Sequence, residues 1–219
     1  PIHVCHNCGL VQILEVIAPE ILFQDYSFSS STIGPLVQHF ENYAKWLNDK
    51  LAPEFVVEFG CNDGILLKPL EQLGVKTCGV DVSENITQIA RDNGLDVFTG
   101  YFDETVAELI KQRLGRADVI TGSNAFAHND KPENILKAAK LILKPEGYLC
   151  LEVMYAGDLL NKLQWDTLYH EHLTFYCLTT LTVLLKRFGF YVVEAEQIPM
   201  HGGSLRIVAT QNPNKIPNK

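Results

Sequence analysis

Between residues 55 and 154, short apolar runs alternate with amphipathic ones at a nearly constant interval. FVVEFG is followed by helical spacing near 64–73, KTCGVDV by a helix near 84–93, and LDVFTG by one near 103–113. ADVITGSN is followed by a helix near 131–143, and YLCLEVM comes next. A strand, a helix and a second parallel strand require a crossover, which is right-handed in nearly every case, so that helices cover both faces of the sheet. The alternation therefore predicts a doubly wound α/β fold of Rossmann-like type. Ahead of it, IGPLVQHFENYAKWLNDKL has apolar residues at helical spacing and stops before Pro53. Behind it come a helix near 178–188 and then FYVVEAEQI and SLRIVAT, separated only by PMHGG. That short connection suits an antiparallel pair at the end of a mostly parallel sheet.

A chain of 219 residues, 47% hydrophobic, is long enough for one full-sized core. Residues 33–210 are expected to form it, with 1–32 as a small appendage and lid-like linker and 211–219 as the start of a polar linker. The net charge of −8 and the lack of a basic stripe argue against a nucleic-acid partner. No apolar run is long enough for a bilayer and no leader is recognisable, which predicts a cytoplasmic protein without a membrane partner. In CHNCGLVQI, Cys5 and Cys8 have the C-x-x-C spacing of half a zinc site. Either His3 or His6 completes that site, or a second pair has been lost upstream, the favoured reading; an unliganded or oxidised pair is the alternative. Cys61, Cys78, Cys150 and Cys177 fall within regular segments and read as core thiols.

Ligands of open α/β sheets bind beyond the carboxyl ends of the strands. The first such loop, VVEFGCNDG, is punctuated by Gly60 and Gly64, and about one βα unit later VDVS places Asp81 where an acid can grip ribose hydroxyls. The spacing does not fit G-x-G-x-x-G, and Glu58 and Asp63 would repel a pyrophosphate. A sulfonium and an ammonium would be attracted instead. The E-x-G-x-x-x-G arrangement resembles that of class I S-adenosylmethionine (SAM)-dependent methyltransferases. The resemblance makes Glu58, Gly60, Asn62, Asp63, Gly64, Asp81 and Asn124 the cofactor-binding candidates; an ordinary βα turn with capping acids is the plainer reading.

YHEHLTFY crowds Tyr169, His170, Glu171 and His172 together, and the loop GSNAFAHNDKP brings His128 to the same end of the sheet. Such a stretch reads as a buried polar knot, a divalent-metal site or a catalytic base with its supports. If it were extended, Tyr169 and Glu171 would face away from His170 and His172, so convergence requires a turn. The motifs CHNCGLVQ, DYSFSSST, VEFGCNDG, SNAFAHND, YHEHLTFY and HGGSLR, in that order, resemble the sugar C-methyltransferases that act on nucleotide-linked 4-ketosugars in deoxysugar pathways.

The resemblance runs through nearly the whole chain and implies a class I methyltransferase sheet preceded by a truncated zinc-knuckle remnant. Family members carry two cysteine pairs in an N-terminal zinc domain and a further C-terminal domain that helps hold the nucleotide. This chain shows only Cys5 and Cys8 as candidate zinc ligands and ends after the SAM domain. A carbon beside a ketone must lose a proton before it can attack a sulfonium methyl, and a neutral imidazole suits that task near pH 7. The resemblance carries the base role onto His172, with Tyr169 and Glu171 in support and His128 near the sugar. Tyr26, Ser29, His201, Gly202 and Gly203 are the substrate-side candidates, while Arg206 reads equally well as a surface charge at a sheet edge. An O- or N-methyltransferase of the same fold, or a noncatalytic nucleoside-binding or zinc-knuckle module, are the competing functions.

Overall fold

The computed structural model describes residues 2–23 and 26–217. Asp25 of the DYSFSSST motif and Asn218 and Lys219 of the tail lie outside the described residues. The chain opens with strands β1 (Ile2–Val4) and β2 (Val11–Ile13), a short helix α1 (Pro19–Phe23) and a long helix α2 (Gly34–Leu51). Then come β3 (Phe55–Phe59), α3 (Leu67–Gln72), β4 (Lys76–Asp81), α4 (Glu84–Asp92), β5 (Val97–Thr99) and α5 (Glu104–Leu114). The second half holds β6 (Ala117–Ser123), α6 (Pro132–Ile142), β7 (Leu143–Met154) and α7 (Ala156–Asn161). It closes with β8 (Thr174–Phe175), α8 (Leu178–Arg187), β9 (Tyr191–Ile198) and β10 (Ser204–Thr210).

Seven strands form one sheet in the order β5-β4-β3-β6-β7-β10-β9. The first five are parallel, and β10 runs antiparallel to both β7 and β9. The predicted terminal pair is thus present, with its second strand inserted against β7 and its first left at the edge.

Period-two alternation along the strands builds two apolar layers. Val56, Val119, Cys150 and Val208 point to the side where α2 lays down Leu36, Phe40, Tyr43, Ala44 and Leu47. Phe55, Val57, Ile120, Leu149, Leu151 and Ile207 point to the opposite side, under α5, α6 and α8. All of β3 is buried, as expected for the centre of a doubly covered sheet. Each large aliphatic side chain buried this way contributes about 1.5–3 kcal/mol.

Two local departures have backbone causes. The helix expected from residue 64 starts at Leu67, because Asn62 (φ 51°) and Gly64 (φ 83°) are left-handed and the chain must turn first. Cys177 is half-exposed at the N-cap of α8, not in the core, whereas Cys61, Cys78 and Cys150 are buried. The first 32 residues also do more than precede the domain. Strand β2 pairs with β1 on one side and with β8 on the other, so the N-terminal ribbon shares a three-stranded sheet with the end of YHEHLTFY.

Candidate functional site

From β3 the chain winds outward through β4 to β5, then returns to build β6 and β7 on the other side of β3. The loops after β3 and β6 therefore diverge, and the crevice between them is the expected ligand site of such a sheet. Their bases nearly touch. Gly60 adopts φ 64°, and a Cβ there would lie 2.3 Å from that of Ala125, so glycine is demanded by the neighbouring loop as well as by the turn. A cavity of about 670 Å³ opens above this contact.

Gly60, Asn62, Asp81 and Asn124 line that cavity; Glu58, Asp63 and Gly64 lie off its wall. The Asn62 and Ser83 backbone N–H groups donate to the two oxygens of Asp81 at 2.9 and 3.0 Å. Burial raises the Asp81 pKa, and these donors offset part of that rise while leaving acceptor capacity for hydroxyls. Glu58 is pushed well above the usual carboxylate range, first by burial and then by the charges of Asp81, Glu152 and Asp63. Among the described residues, Oε2 of Glu58, Oγ of Ser123 and Oδ1 of Asn124 are buried without a hydrogen-bond partner. Unpartnered buried polar atoms beside acidic groups fit a ligand that brings hydrogen-bonding groups and positive charge, as SAM does.

His128, Tyr169 and His172 line the same cavity, and so do Tyr26 and His201. YHEH is not extended: the His172 N–H donates to the Tyr169 carbonyl at 3.0 Å, closing a turn that leaves His170 exposed and off the wall. The His172 ring lies 4.1 Å from that of Tyr169 and 4.9 Å from that of His128, centroid to centroid. Its Nδ1 sits 2.7 Å from the Thr167 carbonyl oxygen. A carbonyl can only accept, so Nδ1 carries the hydrogen and Nε2 is left as a lone-pair base.

Burial lowers the His172 pKa, the Thr167 hydrogen bond opposing it, and burial followed by its histidine neighbours pushes His128 down to about 3. Both rings are therefore neutral at pH 7. Glu171 is off the wall but accepts from the Tyr26 hydroxyl at 3.4 Å, across the crevice. Burial and Glu171 together hold the Tyr26 pKa well up, so it remains a phenol and a donor. Backbone bonds tie these groups together: the Leu173 N–H donates to the Ala127 carbonyl, and the Ile13 N–H of the ribbon donates to the Leu173 carbonyl.

The HGG turn is clamped from α7 and the residues after it. Lys162 and Gln164 each donate to the Gly202 carbonyl at 2.9 Å, while Lys162 pairs with buried Asp158 at 3.0 Å. His201 is held left-handed at φ 49°, a conformation that costs a non-glycine residue about 1 kcal/mol or more. It reaches the cavity, whereas Gly202 and Gly203 do not. Arg206 is not an edge charge: β10 lies inside the sheet, and the buried guanidinium donates to fully buried Glu152 at 2.8 and 2.6 Å. His39 of α2 approaches the other Glu152 oxygen at 2.9 Å.

This Glu152–Arg206–His39 group was not anticipated, nor was the wall contributed by Gly100, Phe102 and Asp103. The loop after β5 could have been found by the same carboxyl-end rule that picked out the others. Ser29 turns from the cavity to donate to Asp63 at 2.5 Å. Cys5 and Cys8 are free thiols, and the N–H groups of Cys8 and Asn7 hold the Cys5 pKa below its ordinary value. Among the described residues, no three His, Cys, Asp or Glu side chains are grouped to hold a metal, so neither His3 nor His6 completes that site and HEH does not form one. Nor is any described helix long and apolar enough to cross a membrane.

Comparison with known proteins extends this picture. The model of a family described as a methyltransferase domain matches residues 37–195. A C-methyltransferase from Streptomyces niveus, NovU, is 32% identical over 209 residues, 94% of this chain and 50% of that protein. A ubiquinone biosynthesis O-methyltransferase from Bordetella avium is 31% identical over 96 residues, 43% of this chain and 40% of that protein. The chain thus spans half or less of the length of these relatives. Among solved structures, the magnesium protoporphyrin IX methyltransferase of Synechocystis PCC 6803 with bound S-adenosylhomocysteine shares the fold at TM-score 0.62 and 17% identity. That match covers 80% of this chain and 83% of the other. A Pyrococcus horikoshii protein, PH0226, does so at TM-score 0.65 and 16% identity, over 89% and 98% of the two chains.

Proposed function

Since this chain belongs to the methyltransferase domain family, we propose that it is a SAM-dependent C-methyltransferase acting beside the ketone of a nucleotide-linked 4-keto deoxysugar. The observation that carries this reading is the His172 imidazole. Its Nδ1–H is tied to the Thr167 carbonyl, its Nε2 is unprotonated, and it stands on the wall of the cavity that also holds Gly60 and Asp81. The NovU likeness, which extends through YHEHLTFY and HGGSLR, supports carbon as the acceptor.

SAM supplies an electrophilic methyl group on a sulfonium. Asp81 accepts from the ribose hydroxyls, while Asn124 Oδ1 and the acidic surroundings of Glu58 favour the cationic end. His172 Nε2 takes the hydrogen from the carbon beside the ketone, and the electrons of that C–H bond become an enolate. Tyr169 or His128 donates to the enolate oxygen, and Tyr26, bonded to Glu171, closes over the sugar. The resulting imidazolium keeps its Nδ1–H on Thr167. His201 meets the far side of the sugar, on the clamped HGG turn.

The test is solvent exchange. With the ketosugar and S-adenosylhomocysteine in D2O, the intact enzyme should wash deuterium into the carbon beside the ketone. Transfer to oxygen or nitrogen needs no such exchange, so its absence from a ketosugar that is nonetheless methylated refutes the enolate.

Glu58 provides a second expectation. Burial holds the Glu58 pKa well above the ordinary carboxylate range, and positive charge brought into the crevice would draw it down. Cofactor binding should therefore release a proton, and affinity should rise with pH through the Glu58 titration. Calorimetry in buffers of different ionisation enthalpy measures it, and Glu58→Gln should abolish the release. Binding with no net proton exchange in the wild-type protein would contradict this account.

A further inference from the structure

Asn62 and Asp63 sit in the glycine turn after β3, yet most of their side-chain hydrogen bonds run to another segment. Oδ2 of Asp63 accepts from Ser29 Oγ at 2.5 Å, from the Ser31 N–H at 2.9 Å and from Ser31 Oγ at 2.7 Å. Asp63 is 5% exposed and lies off the cavity wall, and its Oδ1 is buried without a partner. Beside it, Asn62 Oδ1 accepts from the Ser30 N–H and its Nδ2 donates to the Phe28 carbonyl, each at 2.9 Å.

The first turn of α4 grips the same segment further along. Asn85 accepts from the Tyr26 N–H at 3.2 Å and donates to its carbonyl at 2.8 Å. Residues 26–31 are thus a strap drawn across the crevice by side chains from the turn after β3 and the first turn of α4. Tyr26, Phe28 and Ser30 face the cavity from the strap, and at its end the Tyr26 hydroxyl reaches Glu171 on the opposite wall.

We propose that Asp63 is a positioning residue for the substrate half of the site: it anchors the strap, and through the strap it sets Tyr26 against Glu171. This rests on the methyl-transfer reading above and goes beyond it by moving Asp63 from the cofactor to the substrate side. Three donors converging on one oxygen suit a carboxylate, whose charge-assisted hydrogen bonds are about twice as strong as neutral ones. Asparagine at this position has nearly the same shape but lacks that charge. The contacts that would serve SAM, at Gly60, Asp81 and Asn124, do not involve the Asp63 carboxylate.

The experiment is a double-mutant cycle of Asp63→Asn with Tyr26→Phe in the full-length enzyme, combined with hydrogen exchange of the free protein. Asp63→Asn should lower kcat/KM for the ketosugar by about tenfold or more, the loss expected for a hydrogen bond to a charged group. S-adenosylhomocysteine affinity should stay at the wild-type value. In the Tyr26→Phe background the same change should have little further effect, and the Ser31 and Tyr26 amides should exchange faster in Asp63→Asn than in wild type.

Additive losses in the two backgrounds, or cofactor affinity falling in step with activity, would overturn the proposal. Unchanged exchange at Ser31 and Tyr26 would overturn it whatever the substrate. A parent enzyme that ignores ketosugars while Asp63→Asn still frees those amides would reject the substrate assignment and uphold the strap. Ser31→Ala, which leaves the charge in place, should give the same pattern at smaller amplitude and serves if Asp63→Asn does not fold.

Discussion

Replacing His172 with alanine is expected to reduce methyl transfer by about 10²- to 10⁴-fold, the usual worth of a positioned general base. Cofactor affinity should be unchanged, since the cofactor half of the crevice is built on other loops. The pH profile makes the expectation specific. Only the neutral imidazole can take a proton, and burial holds the His172 pKa below 6.5. Wild-type kcat/KM should therefore be flat through neutral pH and fall only as the solution is acidified below that value. The residual activity of His172→Ala should lack this limb. His128, down at about 3, titrates too low to produce it. Steady-state kinetics from pH 5 to 8 would settle the matter, and a limb that survives in His172→Ala would remove the proposed base.

The largest effect on stability is expected at Arg206. Its guanidinium makes two hydrogen bonds to Glu152, one more to Glu196 at 2.7 Å, and covers the rings of Tyr43 and Trp46 at 4.4 and 4.9 Å. Burial alone would raise the Glu152 pKa; the His39 and Arg206 contacts outweigh it and bring it below the ordinary value. Arg206→Met leaves a fully buried carboxylate facing His39 alone. Stranding one member of a buried ion pair costs about 3–5 kcal/mol. For a domain of this size that is a melting point lowered by about 10 °C.

Glu152→Gln in the Arg206→Met background should restore part of the loss, because the stranded charge is then gone. The pH sign follows from the depressed pKa. Glu152 contributes stability above its unfolded value near 4.5, and that contribution disappears as pH falls through the folded pKa. Thermal melts of the three proteins at pH 7 and pH 4 would test both statements, and an Arg206→Met protein as stable as wild type would refute the first.

Much of the fold was legible because its signals are local. FVVEFG and ADVIT are mostly apolar runs, and such runs separated by helical spacing leave little choice but a parallel sheet. The insertion of β10 between β7 and β9 is not written in the pattern, since SLRIVAT would alternate in the same way at an edge. The edge reading of Arg206 stayed open for that reason, and the structure removes it. The Arg206 partner Glu152, and the His39 that Glu152 holds in turn, lie 54 and 167 positions away along the chain, where no periodicity connects them.

The crevice itself was legible from the carboxyl-end rule, which located Gly60, Asp81, Asn124 and His128 on one cavity. Asp63 was harder, because an acid in a glycine turn looks the same whether it meets a ligand or a neighbouring segment. The turn in YHEH was foreseen from side-chain direction alone. That Thr167 would fix the His172 tautomer depends on a carbonyl, which sequence does not distinguish.

The pairing of β2 with β8 has a practical consequence for anyone who handles this protein. Thr174 and Phe175 lie two and three residues after the proposed base His172, and their backbone partners are Gln12 and Val11. A cut-down version beginning at the long helix would retain every cavity-lining side chain from Leu36 onward, yet would leave this short strand without its neighbour. Such a version should load nucleoside well and turn over poorly, and any event that rearranges the Cys5–Cys8 hairpin, whether oxidation or a captured ion, would be felt in the strand paired with β2.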